Sequence, residues 1–353
     1  MLETYGWSPE LQNDFASHAS AGLMPGRIVV QHRGLYGLAT ADGDMRGEIS
    51  GRLAREAPAG GYPAAGDWVA ADPPIGDGPA MIQHVLPRRT AFTRKAPGGG
   101  IQVVAANVDV AFLVASLNAD LNPRRLERYL SAAWASGAEP VVLLTKADLC
   151  RDVEGEVAGL AKVAAGAPIH ALSSLTGEGL EALNAYLTPG RTAVMVGSSG
   201  AGKSTLANAL LGSDRMATAA IREDDARGRH TTSHRELILL PGGGLLLDTP
   251  GMRELALWES DEGVSATFDD IEALSAACKF RDCGHTNEPG CAVRAALEAG
   301  DLDEDRWRSF GKLTRELAHL ASREDPALKA AERRKWVQIN KANRARGKLK
   351  GRE

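Results

Sequence analysis

Gly197-Ser198-Ser199-Gly200-Ala201-Gly202-Lys203-Ser204-Thr205 is a complete G-x-x-x-x-G-K-[ST] run. Such a run works only between a strand and a helix. Its backbone N–H groups must converge on a phosphate, and the helix N-terminus must add positive potential there. The flanking residues meet that demand. Ala193–Val196 reads as an apolar strand, and an apolar helix begins near Lys203. The middle of the chain is therefore committed to an α/β sheet. Two companion runs sit in a rotated order around the loop. Thr145-Lys146-Ala147-Asp148 precedes it, after the apolar run Val141–Leu144, and Asp248-Thr249-Pro250-Gly251 follows it. In ordinary domains of this type the phosphate loop comes first and the base-reading run last.

Each run implies a chemistry. Lys203 should bridge β- and γ-phosphates, and the Ser204 hydroxyl should ligate Mg²⁺. Asp248 ends a strand, where its carboxylate reaches Mg²⁺ through water, and the Gly251 N–H senses the γ-phosphate. The Asp148 carboxylate matches the N1–H and N2–H donors of guanine, a pair that adenine lacks. A buried polar site left unpaired by the wrong base discriminates by roughly 10⁴–10⁵. Asn is usual where this chain has Thr145, and a hydroxyl replaces an amide that bridges base and phosphate loop. Weaker nucleotide binding is the expectation. Ser173-Ser174, ahead of Leu175-Thr176-Gly177-Glu178-Gly179, fits a loop whose backbone N–H meets guanine O6. Met252 stands where a water-orienting Gln is common and cannot orient water, so intrinsic turnover should be slow. His230 is a candidate for the missing group, and Thr232 for a Mg²⁺ contact.

Around this sheet the patterning changes. Residues 1–24 read as a flexible arm. Across 25–96 short runs (Arg27–Gln31, Tyr36–Thr40, Asp67–Ala71, Met81–Leu86) are split by Gly, Pro and Asp, as in a small β-barrel of either OB or SH3-like type. Residues 97–254 alternate strands and helices, beginning with Val108–Leu117 and a helix opened by Asn122-Pro123. Glu236–Leu240 and Leu245–Leu247 read as a hairpin forming an antiparallel edge. The segment between Ser213 and His234 lacks an apolar face. Residues 255–353 read as mainly helical, with helices near Leu302–Ala321 and Ala327–Ala345.

Of the 4 cysteines, Cys278, Cys283 and Cys291 cluster with His285. Three thiolates and one imidazole favour tetrahedral Zn²⁺ with no open position, a structural site. The net charge of -4 gives no global nucleic-acid signal. Local basic groups do. Arg333, Arg334 and Lys335 precede Trp336, and Lys341, Arg344, Arg346, Lys348, Lys350 and Arg352 follow. Arg88, Arg89, Arg94 and Lys95 form a weaker patch. Trp68, Tyr36 and Phe92 fit core packing better than base stacking. No signal peptide or apolar span is visible, so a cytoplasmic location without membrane contact is expected.

These residues together resemble the small-ribosomal-subunit-dependent GTPases of the RsgA (YjeQ) family. The resemblance rests on the rotated order, Gly228–Thr232, and Asp248–Gly251 followed by Arg253-Glu254. It rests also on Cys278-Lys279-Phe280-Arg281-Asp282-Cys283 with His285, and on Glu288-Pro289-Gly290-Cys291. It implies an N-terminal OB-fold, a circularly permuted GTPase domain and a C-terminal zinc domain. It further implies a GTP hydrolase in late small-subunit maturation, using Mg²⁺ with GTP, binding rRNA and stimulated by the subunit; apart from the resemblance, a monomer is expected. Two other readings remain: an RNA-binding scaffold with negligible turnover, and an ATP-using P-loop enzyme, which Asp148 opposes.

Overall fold

A computed structural model of the chain describes residues 1–32, 34–95, 100–118, 121–164, 166–214, 235–248 and 261–324. Two compact units divide it, 1–258 and 259–353.

The first unit contains a barrel of five short strands: β1 (Met24–Gln31), β2 (Tyr36–Thr40), β3 (Gly43–Ile49), β4 (Trp68–Asp72) and β5 (Ala80–Val85). β1 runs antiparallel to β2 and β4, β3 lies parallel to β5, and β5 returns antiparallel to β4. The ring closes in the order 1-2-3-5-4, the arrangement of an OB-fold barrel rather than an SH3-like one. Ile28, Leu38, Val69 and Ile82 fill it. Helix α2 (Gly51–Glu56), capped by Ser50, follows β3. Tyr36, Trp68 and Phe92 are buried, as core packing requires.

Residues 1–24 are not a flexible arm. A 3-10 turn at Leu2–Tyr5 leads to α1 (Pro9–Ser20), which has Ser8 as its cap and Pro9 in its first turn. Leu11 and Phe15, one turn apart, are buried, and Trp7 meets Phe15 and Trp68 edge-on at 5.9 and 4.8 Å. Burial of each such side chain stabilises by roughly 1.5–3 kcal/mol. The stripe is narrow, and its partner Trp68 is remote in sequence.

The α/β part holds β8 (Val110–Ser116), β9 (Glu139–Thr145), β10 (Ile169–Ala171), β11 (Thr192–Val196), β12 (Arg235–Leu239) and β13 (Leu245–Asp248). Helices α3 (Pro123–Ser136), α4 (Val153–Ala161) and α5 (Lys203–Leu211) connect them. The order is β10-β9-β8-β11-β13-β12, parallel except for β12. Both faces are covered, with Ala111 and Leu113 in one core and Val110, Phe112 and Val114 in another. This explains why β8 reads as a continuous apolar run.

The hairpin β12–β13 is not an edge. β12 pairs with β1 of the barrel, Val30 opposite Glu236 and Gln31 opposite Arg235, so barrel and α/β sheet are continuous. An irregularity at Ile28–Val30 bends β1, whose first half closes the barrel on β4 while its end joins β12. The boundary expected at 96/97 falls between β6 (Ala91–Lys95) and β7 (Ile101–Ala106), which pair with each other. Arg27, 1% exposed, fastens this junction. It donates to Tyr5 O, to Gly66 O and Asn107 O at 3.3 and 3.2 Å, and to Thr192 Oγ1 at 2.8 Å, at the start of β11. Burial lowers its pKa to about 10.

The second unit is helical: α6 (Asp261–Thr267), α7 (Asp269–Ala276), α8 (Ala292–Ala299) and α9 (Glu304–Glu324). Val264, Phe268, Ile271, Val293, Leu302 and Leu313 form its core. Arg306 holds Asp270 through two hydrogen bonds of 2.9 and 2.7 Å and lies over the Phe268 ring. The basic residues 333–352 and the helix expected near Ala327–Ala345 lie outside the described residues. Among those described, no helix is long and apolar enough to cross a membrane.

Candidate nucleotide and metal sites

The sheet changes direction at β8. From β8 the chain steps outward through β9 to β10, then crosses back to place β11 on the other side of β8. In open parallel sheets the crevice beyond the strand carboxyl ends at such a point is where ligands bind. Residues 197–202 follow β11 there. A Cβ at Gly197 would lie 2.2 Å from Val114 O on β8, so only glycine permits this approach. Gly202 has φ +89° in the left-handed region, and a Cβ there would come within 3.3 Å of Thr145 Oγ1. α5 then starts at Lys203 with no side-chain cap, which leaves its first N–H groups for an anion. The Lys203 Nζ donates to Gly197 O and Ser198 O at 2.6 and 2.5 Å, arching over the loop that a phosphate would enter.

β9 delivers the base-reading run to the same edge. Thr145 is 2% exposed, and its hydroxyl donates to Ala201 O at 2.7 Å, with Ala115 O at 3.3 Å. The link to the phosphate loop that an Asn amide would make is thus made by the hydroxyl, whose single proton it uses. Lys146, with φ 61°, adds a second link from Nζ to Gly200 O at 2.9 Å. Asp148 lies exposed on the 3-10 turn Ala147–Leu149. The Ala147 N–H donates to Leu172 O at 3.2 Å, which sets the Ser173–Ser174 loop beside that turn. Ser173 is buried, and its hydroxyl accepts from the N–H groups of Leu175 and Thr176. Asp248 ends β13, one residue past the Leu247–Val194 pair, at the carboxyl edge shared with Gly197. The structure therefore gathers 145–148, 173–174, 197–205 and Asp248 along one edge. His230, Thr232, Gly251 and Met252 lie outside the described residues. The two side-chain links from Thr145 and Lys146 were not legible in the sequence, because their partners are backbone carbonyls on a distant loop.

Arg88 is withdrawn from the weaker basic patch. It grips Asp67 through bonds of 2.7 Å and also donates to Gly60 O and Tyr62 O. Its role is to fasten barrel loops.

In the second unit, one ligand atom each from Cys278, Cys283, His285 and Cys291 lies within 4.8 Å of the others. Cys278 Sγ is 3.6 Å from His285 Nδ1 and 3.9 Å from Cys291 Sγ, and Cys291 Sγ is 3.5 Å from that nitrogen. These sulfurs are too far apart for a disulfide. They match the edges of a tetrahedron about a metal with metal–sulfur and metal–nitrogen distances of about 2.3 and 2.0 Å. Three thiolates and an imidazole so placed fit a four-coordinate metal ion. Glu288, which the sequence offered only as part of a string, shapes the loop. Its carboxylate accepts from the N–H groups of Thr286, Asn287 and Gly284 at 2.8, 3.0 and 3.1 Å. Its own N–H and those of Thr286, Gly284 and Asn287 hold its pKa down to about 2. Trp307 meets the His285 ring edge-on at 5.6 Å.

A P-loop sheet in which the base-reading strand precedes the phosphate loop is a circularly permuted GTPase domain. The pattern described as RsgA GTPase matches residues 85–258. A relative from Opitutus terrae, named small ribosomal subunit biogenesis GTPase RsgA, is 47% identical over 99% of both chains. The chain belongs to the RsgA GTPase family. Among solved structures, YjeQ from Thermotoga maritima is 28% identical, with a TM-score of 0.63 over 84% of this chain and 98% of that one. YloQ, described as a circularly permuted GTPase, is 25% identical, with a TM-score of 0.60 over 84% and 95%.

Proposed function

We propose that this chain hydrolyses GTP as a late maturation factor of the small ribosomal subunit, binds its rRNA, and is stimulated by that particle. The observation that carries the reading is the bonding of the base run to the phosphate loop, Thr145 to Ala201 and Lys146 to Gly200, within the rotated order of the family. Base selection and phosphate binding are thereby one rigid site. The Asp148 carboxylate takes N1–H and N2–H of guanine. The N–H groups from Ser198 to Thr205 cradle the β-phosphate, and the Lys203 ammonium leaves its loop carbonyls for the β- and γ-oxygens. Ser204, Asp248 and Thr232 are the residues that would hold Mg²⁺, which when bound spreads the charge developing on those oxygens. The Gly251 N–H answers to the γ-phosphate, and His230 is a candidate for the group that orients water, a task Met252 cannot perform.

The metal of the Cys₃His set is Zn²⁺, held in a closed structural site. The basic residues 333–352 supply rRNA phosphate contacts, which makes binding steeply salt-dependent. The protein acts as a cytoplasmic monomer. The test is steady-state GTP hydrolysis against small-subunit concentration, with Lys203→Ala as control. Turnover should rise severalfold with the particle and vanish in the variant. Flat turnover would favour a scaffold that holds nucleotide without spending it.

A further inference from the structure

Every hydroxyl in the two base-reading loops has a hydrogen-bond partner except one. Thr145 donates to Ala201, Ser173 accepts from Leu175 and Thr176 N–H, and Thr176 accepts from Glu178 N–H. Ser174 Oγ is buried and bonded to nothing among the described residues. A loop serine ordinarily satisfies itself on nearby backbone groups. A buried hydroxyl left alone disfavours the fold, and an alanine would fill the place without that penalty.

The backbone at this point is fixed. Ser173 N–H donates to Glu178 O and Ser173 O accepts from Gly177 N–H, both at 2.9 Å. Leu172 O accepts from Ala147 N–H, beside the turn that carries Asp148. Only χ1 of Ser174 is left to choose among staggered wells, and no bond holds it in the present one. The adjoining edge of guanine presents N2–H, N1–H and O6 in that order, two donors and an acceptor. The Asp148 carboxylate answers the donors and can only accept. O6 needs a donor next to it, and Ser174 carries the buried hydroxyl of these loops that neither donates nor accepts among the described residues.

We propose that Ser174 is a specificity residue: on nucleotide binding its hydroxyl turns about χ1 and donates to guanine O6. The proposal rests on the assignment of Asp148 as the guanine reader. It adds a side-chain contact to the backbone one expected for this loop.

The test measures binding of GDP, inosine diphosphate and 6-thio-GDP to the full chain and to Ser174→Ala. Inosine diphosphate keeps O6 but lacks the N2 amine, and 6-thio-GDP keeps both N–H donors but replaces O6 with a poor acceptor. Ser174→Ala should weaken GDP and inosine diphosphate alike, by about fivefold, and 6-thio-GDP by less than about twofold. The nucleotide-free variant should melt no lower than the wild type, which separates a lost contact from a damaged fold. Equal weakening of all three ligands, or of none, overturns the assignment of Ser174. If wild type binds inosine diphosphate as tightly as GDP, the guanine reading of Asp148 falls, whatever Ser174→Ala does.

Discussion

In the phosphate loop an irregular backbone is held from outside. Gly197 lies against β8, Thr145 and Lys146 bond its carbonyls from β9 and the turn beyond it, and a nine-residue helix takes over at Lys203. The metal loop between α7 and α8 is held from within. Its backbone N–H groups fold onto Glu288, and its ligands face one another rather than a sheet. The first loop can wait for its ligand in a finished shape. The second would take its final shape from an ion held by its four ligands. Losses of ligand should therefore have opposite consequences in the two units.

The largest effect expected is in the metal loop. Removing the ion with a strong chelator, or replacing Cys283 with Ser, should unfold residues 278–291 and lower the melting of the second unit. Were the ion Zn²⁺, as proposed, it would supply on the order of 10 kcal/mol of apparent binding energy. Metal content and limited proteolysis read the loss. GDP affinity should be unchanged, and a parallel loss of GDP binding would break the contrast between the loops.

Next comes Arg27→Met, at the junction of barrel and sheet. It removes one donor from each of three backbone carbonyls and from the Thr192 hydroxyl. A cost of about 3–5 kcal/mol in chemical denaturation is expected, the range for breaking a buried charged network. The second unit should melt as before.

Smaller again is Thr145→Val, which keeps the volume and removes the hydroxyl. It leaves Ala201 O without its 2.7 Å donor and should cost about 2 kcal/mol, or roughly thirtyfold in GDP affinity. Thr145→Asn should restore most of it, since an amide can make the same bond. If Val binds GDP as well as Thr does, the loop is held by its glycines and Lys146 alone.

The parts of this architecture that were legible in the sequence are those whose cause is local. α3 was readable to the residue, because Asn122 Oδ1 accepts from Arg124 and Arg125 N–H at 3.0 and 3.1 Å and Pro123 fixes the first turn. β8, β9 and the phosphate loop announce themselves by apolar runs and a spacing that chemistry dictates. What stayed hidden has distant causes. α1 owes its place to Trp68, and β3 is built from glycine and charged residues that only barrel closure makes into a strand. The pairing of β12 with β1 joins residues more than two hundred positions apart in the chain, sealed by Arg235 Nη1 on Gln31 Oε1 at 2.9 Å. The Thr145 bridge stayed hidden for the same reason, since its acceptor is a carbonyl and leaves no mark in residue identity.

The smallest effect tests whether the metal loop has any shape of its own. Glu288 is half-buried, and its pKa stands at about 2 against an ordinary 4.5, because backbone N–H groups surround the ionised form. A carboxyl depressed in the folded state stabilises it fully above pH 4.5, and that contribution fades as pH falls through about 2. Over that window the loop should loosen for a reason distinct from protonation of the thiolates, which metal release at higher pH would report first. Glu288→Gln separates the two at neutral pH, since a neutral amide accepts more weakly than a carboxylate. Metal transfer to a competing chelator should then quicken by no more than about tenfold, the low end for groups that orient metal ligands. An unchanged rate would mean that the ligands alone define the loop. A far larger one would make Glu288, rather than the ion, its organising centre.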